Sequence, residues 1–121
     1  FDVDGDGDLD IVTNDFNTEP MVLISNLSEQ TAIKYLKVQL VGSKSNRDGL
    51  GARVVVEADG KSWTKVNDGV SGYLSHSTYP LYFGLGEADA VDTISVTWPS
   101  GVKQVVAGPL ETNRLLTITE E

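Results

Sequence analysis

The sequence predicts an all-β protein, an antiparallel β-sandwich or barrel, and three observations support this fold class. Apolar and polar residues alternate in most apolar segments, which is the two-residue period of half-buried antiparallel strands. Turn-forming residues separate these segments at intervals of roughly 8–12 residues, as in sandwiches and barrels. No window of about a dozen residues carries the apolar repeat of an amphipathic helix.

The predicted strands begin with two short apolar segments, Ile11–Thr13 and Met21–Ser25, followed by a polar connection over residues 26–33. Tyr35–Val41 shows the alternation most clearly, because every even-numbered position is Leu or Val. Further strands are expected at Ala52–Ala58, Lys61–Val66, Leu81–Phe83, Asp92–Trp98 and Lys103–Ala107, and around Leu116 and Ile118.

Two short segments predict tight hairpin turns. Asp59-Gly60 lies between two strand segments, and both residue types tolerate the positive φ that a type I′ turn requires. Pro99-Ser100-Gly101 separates the next predicted pair of strands. Trp98 is in phase with the apolar positions of its strand, so we expect its ring in the core.

Composition and net charge limit the classes of function that the protein can have. A chain of 121 residues holds one domain with a small additional element, and it has no cysteine and hence no disulfide or thiolate chemistry. Nine basic and 18 acidic residues give a net charge of −9, which disfavours binding to nucleic acid or to an anionic membrane surface. No apolar run is long enough to insert into a membrane.

Much of the acidic excess lies in one segment, where aspartate occupies every second position of the first ten residues: Asp2, Asp4, Asp6, Asp8 and Asp10. Alternate residues of a tightly wound loop can converge on one point, and Gly7 permits the sharp bend. Six to eight oxygen ligands suit Ca²⁺. We therefore expect a calcium site, with side-chain oxygens from all of these aspartates except Asp8, which supplies its backbone carbonyl.

Three alternatives to a calcium loop fit these residues less well. An EF-hand requires a Glu at loop position 12 and flanking helices, whereas Thr13 holds that position and Leu9–Thr13 has the pattern of a strand. Mg²⁺ prefers fewer protein ligands and more water. A solvated acidic segment without any cation leaves five like charges within nine residues uncompensated.

Residues Phe1–Val12 resemble the calcium loop of FG-GAP/VCBS repeats, which build the blades of integrin-like β-propellers. From this resemblance we expect part of such a repeat here, namely its loop and two following strands. The remainder is similar to the ASPIC/UnbV domain, which is found after such repeats. The matching stretches occur in the expected order between about residues 35 and 119: Leu40–Gly42, Asn46–Val54, Ser71–Ser75, Phe83–Gly86 and Val96–Gly101.

The resemblance implies a division into residues 1–30, a partial FG-GAP/VCBS repeat that forms the strand remnant of a propeller blade, and residues 31–121, an ASPIC/UnbV-like β-sandwich. It also implies a non-enzymatic, calcium-dependent interaction or adhesion-type module with an extracellular, cell-surface or periplasmic location. The expected partners are the preceding propeller repeats of a parent chain and an unidentified protein or glycan.

Two other functions remain open from the residues alone. Exposed rings of a β-sandwich can stack on sugars, so Trp63, Tyr73 and Tyr79 are candidate residues of a carbohydrate-binding module. A triad hydrolase would use His76, the one histidine of the chain, but no nucleophile-elbow pattern accompanies it. A glycosidase would use a pair of carboxylates, but no acidic residue has the apolar sequence context that raises a carboxyl pKa. We therefore expect no enzymatic activity.

Overall fold

A computed structural model describes residues 1–77 and 80–121, and of Ser71 it describes only the backbone. In chain order the elements of this part are β1 (Ile11–Thr13), β2 (Met21–Leu23), α1 (Leu27–Gln30), β3 (Lys34–Val41), β4 (Arg53–Ala58), β5 (Lys61–Val66), β6 (Val70–Gly72), β7 (Ser75–His76), β8 (Leu81–Gly86), β9 (Ala90–Thr97), β10 (Lys103–Glu111) and β11 (Arg114–Thr119). The all-β prediction is confirmed, since α1 has a single turn.

Two sheets pack face to face. One has four strands in the order β10-β9-β4-β5, and the other has three in the order β11-β3-β8. Their inward-facing residues form one hydrophobic cluster, which includes Leu36, Val38, Leu40, Phe83, Leu85 and Ile118 from the second sheet and Val54, Val56, Ala58, Val91, Ile94 and Val96 from the first. Burying each large aliphatic side chain contributes about 1.5–3 kcal/mol. The architecture is that of a β-sandwich, and the described residues form no closed barrel.

Both predicted hairpin turns are confirmed. Asp59 and Gly60 have φ values of 49° and 68° and connect β4 to β5, as a type I′ turn requires. In the turn between β9 and β10, the Trp98 N–H donates to the Val102 carbonyl at 2.9 Å. Trp98 itself is 2% exposed, so the expectation that its ring lies in the core is also confirmed.

One strand direction differs from the antiparallel prediction. β11 pairs with β3 in parallel, with Leu116 opposite Val38 and Ile118 opposite Leu40. The chain leaves β10 in the four-stranded sheet and enters β11 in the other sheet, so β11 pairs with β3 and does not form a hairpin with β10. Alternation of apolar residues reports which face of a strand is buried, but it carries no information on the direction of the partner.

Two short ribbons lie outside these sheets. β1 and β2 pair antiparallel, with Val12 opposite Val22, and apolar side chains on both faces of this ribbon are about half exposed. β6 and β7 form the second ribbon, and its turn contains Tyr73 and Leu74. No helix among the described residues is long and apolar enough to cross a membrane.

Candidate metal site

The aspartate loop, defined here as residues 1–10, is closed by its two ends. The Asp10 N–H donates to the Phe1 carbonyl at 2.9 Å, and the Phe1 amino group donates to the Asp10 carbonyl at 3.1 Å. Between these ends, Gly5 and Gly7 have φ values of +84° and +97°. L side chains rarely adopt this backbone conformation, so the two glycines permit the tight winding of the loop.

The loop brings three of the five predicted ligands together. Asp2, Asp4 and Asp10 each place one carboxylate oxygen within 4.8 Å of the others. Oxygens that all bind one Ca²⁺ at about 2.3–2.6 Å cannot lie more than about 5 Å apart, so this separation fits a single cation. Asp10 is buried, and its two oxygens accept the backbone N–H groups of Val3 at 2.7 Å and Ser25 at 2.8 Å.

The side chains of Asp6 and Asp8 are hydrogen-bonded to the first turn of α1. The Ser28 hydroxyl donates to Asp6 Oδ2, and the Ser28 N–H donates to Asp8 Oδ2 at 2.9 Å. Asp8 is only 4% exposed, and its Oδ1 has no hydrogen-bond partner among the described residues. A buried carboxylate oxygen without a donor is costly unless a cation is nearby.

The pKa values of Asp4 and Asp6 shift in opposite directions in this environment. The Ser28 hydroxyl, followed by the Asp8 N–H, lowers the pKa of Asp6. At Asp4 the Asp6 N–H acts to lower the pKa, but desolvation and the charges of Asp6 and Asp10 outweigh it, so the pKa of Asp4 is raised. The raised pKa of Asp4 therefore reflects desolvation first and the neighbouring negative charges second, and a cation would neutralise those charges.

The loop rests on the outer face of the three-stranded sheet. Lys37 Nζ lies 2.9 Å from Asp2 Oδ2, and this contact is the main cause that lowers the pKa of Asp2. The Tyr82 hydroxyl donates to the Gly7 carbonyl. Burial, then the neighbouring Tyr35 and the Asp2 charge, raise the pKa of Tyr82 to about 12.

Sequence reasoning did not identify Ser28, Tyr35, Lys37 or Tyr82 as neighbours of the loop. The alternation in β3 places Tyr35 and Lys37 on the outer face, but nothing local indicates what that face contacts. Likewise, Asp8 was expected to act through its carbonyl, and the structure adds a buried side chain.

The aromatic residues proposed for sugar binding are not assembled into one platform within the described residues. Trp63 on β5 is partly buried and packs against the hydrophobic cluster of the sandwich. Tyr73 is 93% exposed in the turn of the β6–β7 ribbon. Tyr79 lies outside the described residues. Carbohydrate binding therefore stays a prediction.

Comparison with known protein families matches residues 42–121 to the family described as ASPIC and UnbV. This segment begins directly after β3 and includes β4 to β11, which form most of the sandwich. The resemblance inferred for this part of the sequence is confirmed, whereas the resemblance of residues 1–30 to an FG-GAP/VCBS repeat stays a prediction. No curated protein matches the chain.

Proposed function

The chain belongs to the ASPIC and UnbV family, and from that premise we propose that it is a non-enzymatic extracellular interaction module whose aspartate loop binds a structural Ca²⁺. The family is often found with extracellular FG-GAP repeats. The main support for the calcium site is the convergence of Asp2, Asp4 and Asp10, each of which places one carboxylate oxygen within 4.8 Å of the others.

The chemistry of the loop fits calcium. Every candidate donor is an oxygen, which suits a hard cation, and the cluster offers no nitrogen or sulfur ligand that would favour zinc or copper. The buried Asp8 Oδ1 is a second observation in favour of a cation, because it is a carboxyl oxygen without a hydrogen-bond donor among the described residues. The backbone N–H groups that bind Asp10 hold its carboxylate in position before any ion enters.

We propose that Asp2, Asp4 and Asp10 bind the cation through their side chains. Asp6 and Asp8, which are held in place by hydrogen bonds from Ser28, would supply the remaining protein ligands. The ion would supply positive charge that offsets the mutual repulsion of the five aspartates. Its role is structural in this proposal, since no reacting group is required of it.

We further propose that residues 1–30 are a partial FG-GAP/VCBS repeat and that residues 31–121 are the sandwich that follows it. The β1–β2 ribbon supports this division. Its two faces are both apolar and about half exposed, and a two-stranded ribbon of this kind is marginally stable alone. Stacked blades of a propeller would cover both faces. The extracellular, cell-surface or periplasmic location is part of the same proposal.

The test is a calorimetric titration of the chain with Ca²⁺, using an Asp4→Asn variant and an Asp92→Asn control. Asp4 belongs to the cluster and is exposed, so its replacement removes one ligand charge with little effect on packing, whereas Asp92 lies on the sandwich. The wild type and Asp92→Asn should bind Ca²⁺ with similar affinity, and the affinity of Asp4→Asn should be lower by about tenfold or more. A wild type that binds no Ca²⁺, or an unchanged affinity in Asp4→Asn, would contradict the proposal.

A further inference from the structure

Three side chains on the outer face of the three-stranded sheet form a contact surface for the aspartate loop. Tyr35 and Lys37 point outward from β3, because the intervening Leu36 is fully buried on the inner face. Tyr82 lies on β8 directly opposite Lys37. We call Tyr35, Lys37 and Tyr82 the docking clamp.

The members of the docking clamp support one another. The rings of Tyr35 and Tyr82 are stacked, with centroids 5.2 Å apart and planes inclined by 18°. Lys37 Nζ lies 5.0 Å from the Tyr35 centroid and 5.6 Å from the Tyr82 centroid. Cation–π attraction to both rings restricts the lysine side chain, so its ammonium group is positioned before it meets the loop.

The docking clamp holds the loop on both sides of Asp4 and Asp6. On one side, Lys37 forms an ion pair with Asp2, whose side chain is 5% exposed. On the other side, the Tyr82 hydroxyl binds the Gly7 carbonyl, and the Tyr35 ring packs against Gly7. Two separated attachment points restrain both the position and the orientation of a short loop, which a single contact would not do.

We propose that the docking clamp couples cation binding in the aspartate loop to the stability of the sandwich, with Lys37 and Tyr82 as positioning residues. This inference rests on the proposed calcium site. A cation that binds only the wound loop stabilises any structure whose unfolding also unwinds the loop. Because the loop is attached to β3 and β8, a bound cation stabilises the sandwich as well. Without the docking clamp, the ion would order the loop alone.

Tryptophan fluorescence can separate these two cases. The two tryptophans of the chain, Trp63 and Trp98, both lie in the sandwich and none lies in the loop, so a melt followed by their emission reports the sandwich specifically. Calorimetric titration with Ca²⁺ reports binding independently of that melt. The variants are Lys37→Met, Tyr82→Phe and the double variant, and the matched controls are Lys103→Met and Tyr73→Phe, both at exposed positions.

In the wild type and both controls, saturating Ca²⁺ should raise the tryptophan-detected midpoint by several degrees. The rise should be smaller in each clamp variant and smallest in the double variant. Because coupling is reciprocal, calorimetry should detect Ca²⁺ binding that weakens as the shift falls. Lys37→Met is informative because removing a positive charge near the site does not by itself weaken cation binding. A smaller midpoint shift together with a weaker but still measurable affinity therefore identifies a coupling role.

Two results would overturn the docking clamp and leave the calcium site intact: Ca²⁺ binding to the wild type with no midpoint shift, or an unchanged shift in the double variant. Absence of any Ca²⁺ binding to the wild type would overturn the proposed calcium site, and the coupling with it. Should Lys37→Met fail to fold, Tyr82→Phe removes one hydroxyl only and supplies the same comparison.

Discussion

The ring of Tyr35 packs against Gly7 so closely that a Cβ added at Gly7 would lie 2.5 Å from Tyr35 Cε1. Gly5, two residues earlier in the same loop, has a similar positive φ, but a Cβ there would meet no atom within 4 Å. The loop therefore contains two glycines with the same backbone requirement and different surroundings. Substitutions at Gly5 and Gly7 therefore distinguish the effect of backbone strain from the effect of losing the contact with the sandwich.

Gly7→Ala should displace the loop from the sandwich, whereas Gly5→Ala should not. Each substitution costs about 1 kcal/mol because of the positive φ, and Gly7→Ala adds a clash with Tyr35. Amide hydrogen exchange over residues 1–10 measures the difference, and the exchange should be faster in Gly7→Ala than in Gly5→Ala. Equal exchange rates in the two variants would mean that the Tyr35 contact does not hold the loop.

Glu120 joins the end of the last strand to two turns. Its carboxylate accepts the N–H groups of Ser43, Lys44 and Ser45 at 2.9, 2.8 and 2.7 Å, and hydroxyl groups from Ser45 and Ser100. Burial acts to raise the pKa of this carboxyl, but the hydrogen bonds, that from Ser100 first, outweigh it and lower the pKa from 4.5 to about 2.

The stability that Glu120 contributes should depend on pH. Because its pKa is lower in the folded state, this stability is complete above the unfolded pKa of 4.5 and is lost as the pH falls towards 2. Glu120→Gln should lower the denaturation midpoint at pH 7, and its difference from the wild type should shrink at acidic pH. Chemical denaturation between pH 7 and pH 3 measures it, with Glu121→Gln as the control. A difference that stays constant over this range would argue against the carboxylate as its source.

Trp98 depends on a buried polar partner. Its Nε1–H donates to Gln104 Oε1 at 2.9 Å, and Gln104 Nε2 donates to the Thr119 carbonyl at 3.0 Å. Gln104→Met retains the size of the side chain but removes both bonds, and leaving buried polar groups without these partners should cost about 1–3 kcal/mol. Urea unfolding measures the loss, and Lys103→Met, at the exposed neighbouring position, should be close to neutral. Similar values for the two variants would refute this role.

Leu74 occupies an unfavourable backbone conformation. Its φ is +55° and its side chain is 89% exposed, so the strain is not offset by burial. Leu74→Asn should stabilise the protein by about 1 kcal/mol, because asparagine tolerates this conformation better than leucine. Thermal denaturation provides the measurement. A lower midpoint in Leu74→Asn would show that the leucine side chain makes a stabilising contact that outweighs the strain.

Local patterns predicted much of the sandwich. The alternation in β3 identified the buried positions, and Asp59-Gly60 identified the turn between β4 and β5. For Asn46 the sequence allows two interpretations, because an asparagine side chain can either cap a turn or bind a cation. In the structure its amide donates to and accepts from the backbone of Leu50, which is the turn-capping arrangement. The parallel direction of β11 was not predicted, because it depends on the path of the chain between the two sheets.

Local sequence is sufficient to predict which faces of the strands are buried, where the hairpins turn and that the N-terminal loop is rich in oxygen ligands. These properties depend on residues close together in the chain. The contact of Asp2 with Lys37, 35 residues away, and that of Asp8 with Ser28, 20 residues away, depend on the tertiary fold. Such contacts depend on how segments distant in the chain are arranged in space, and the local sequence around one residue does not specify which outward-facing side chain lies opposite it.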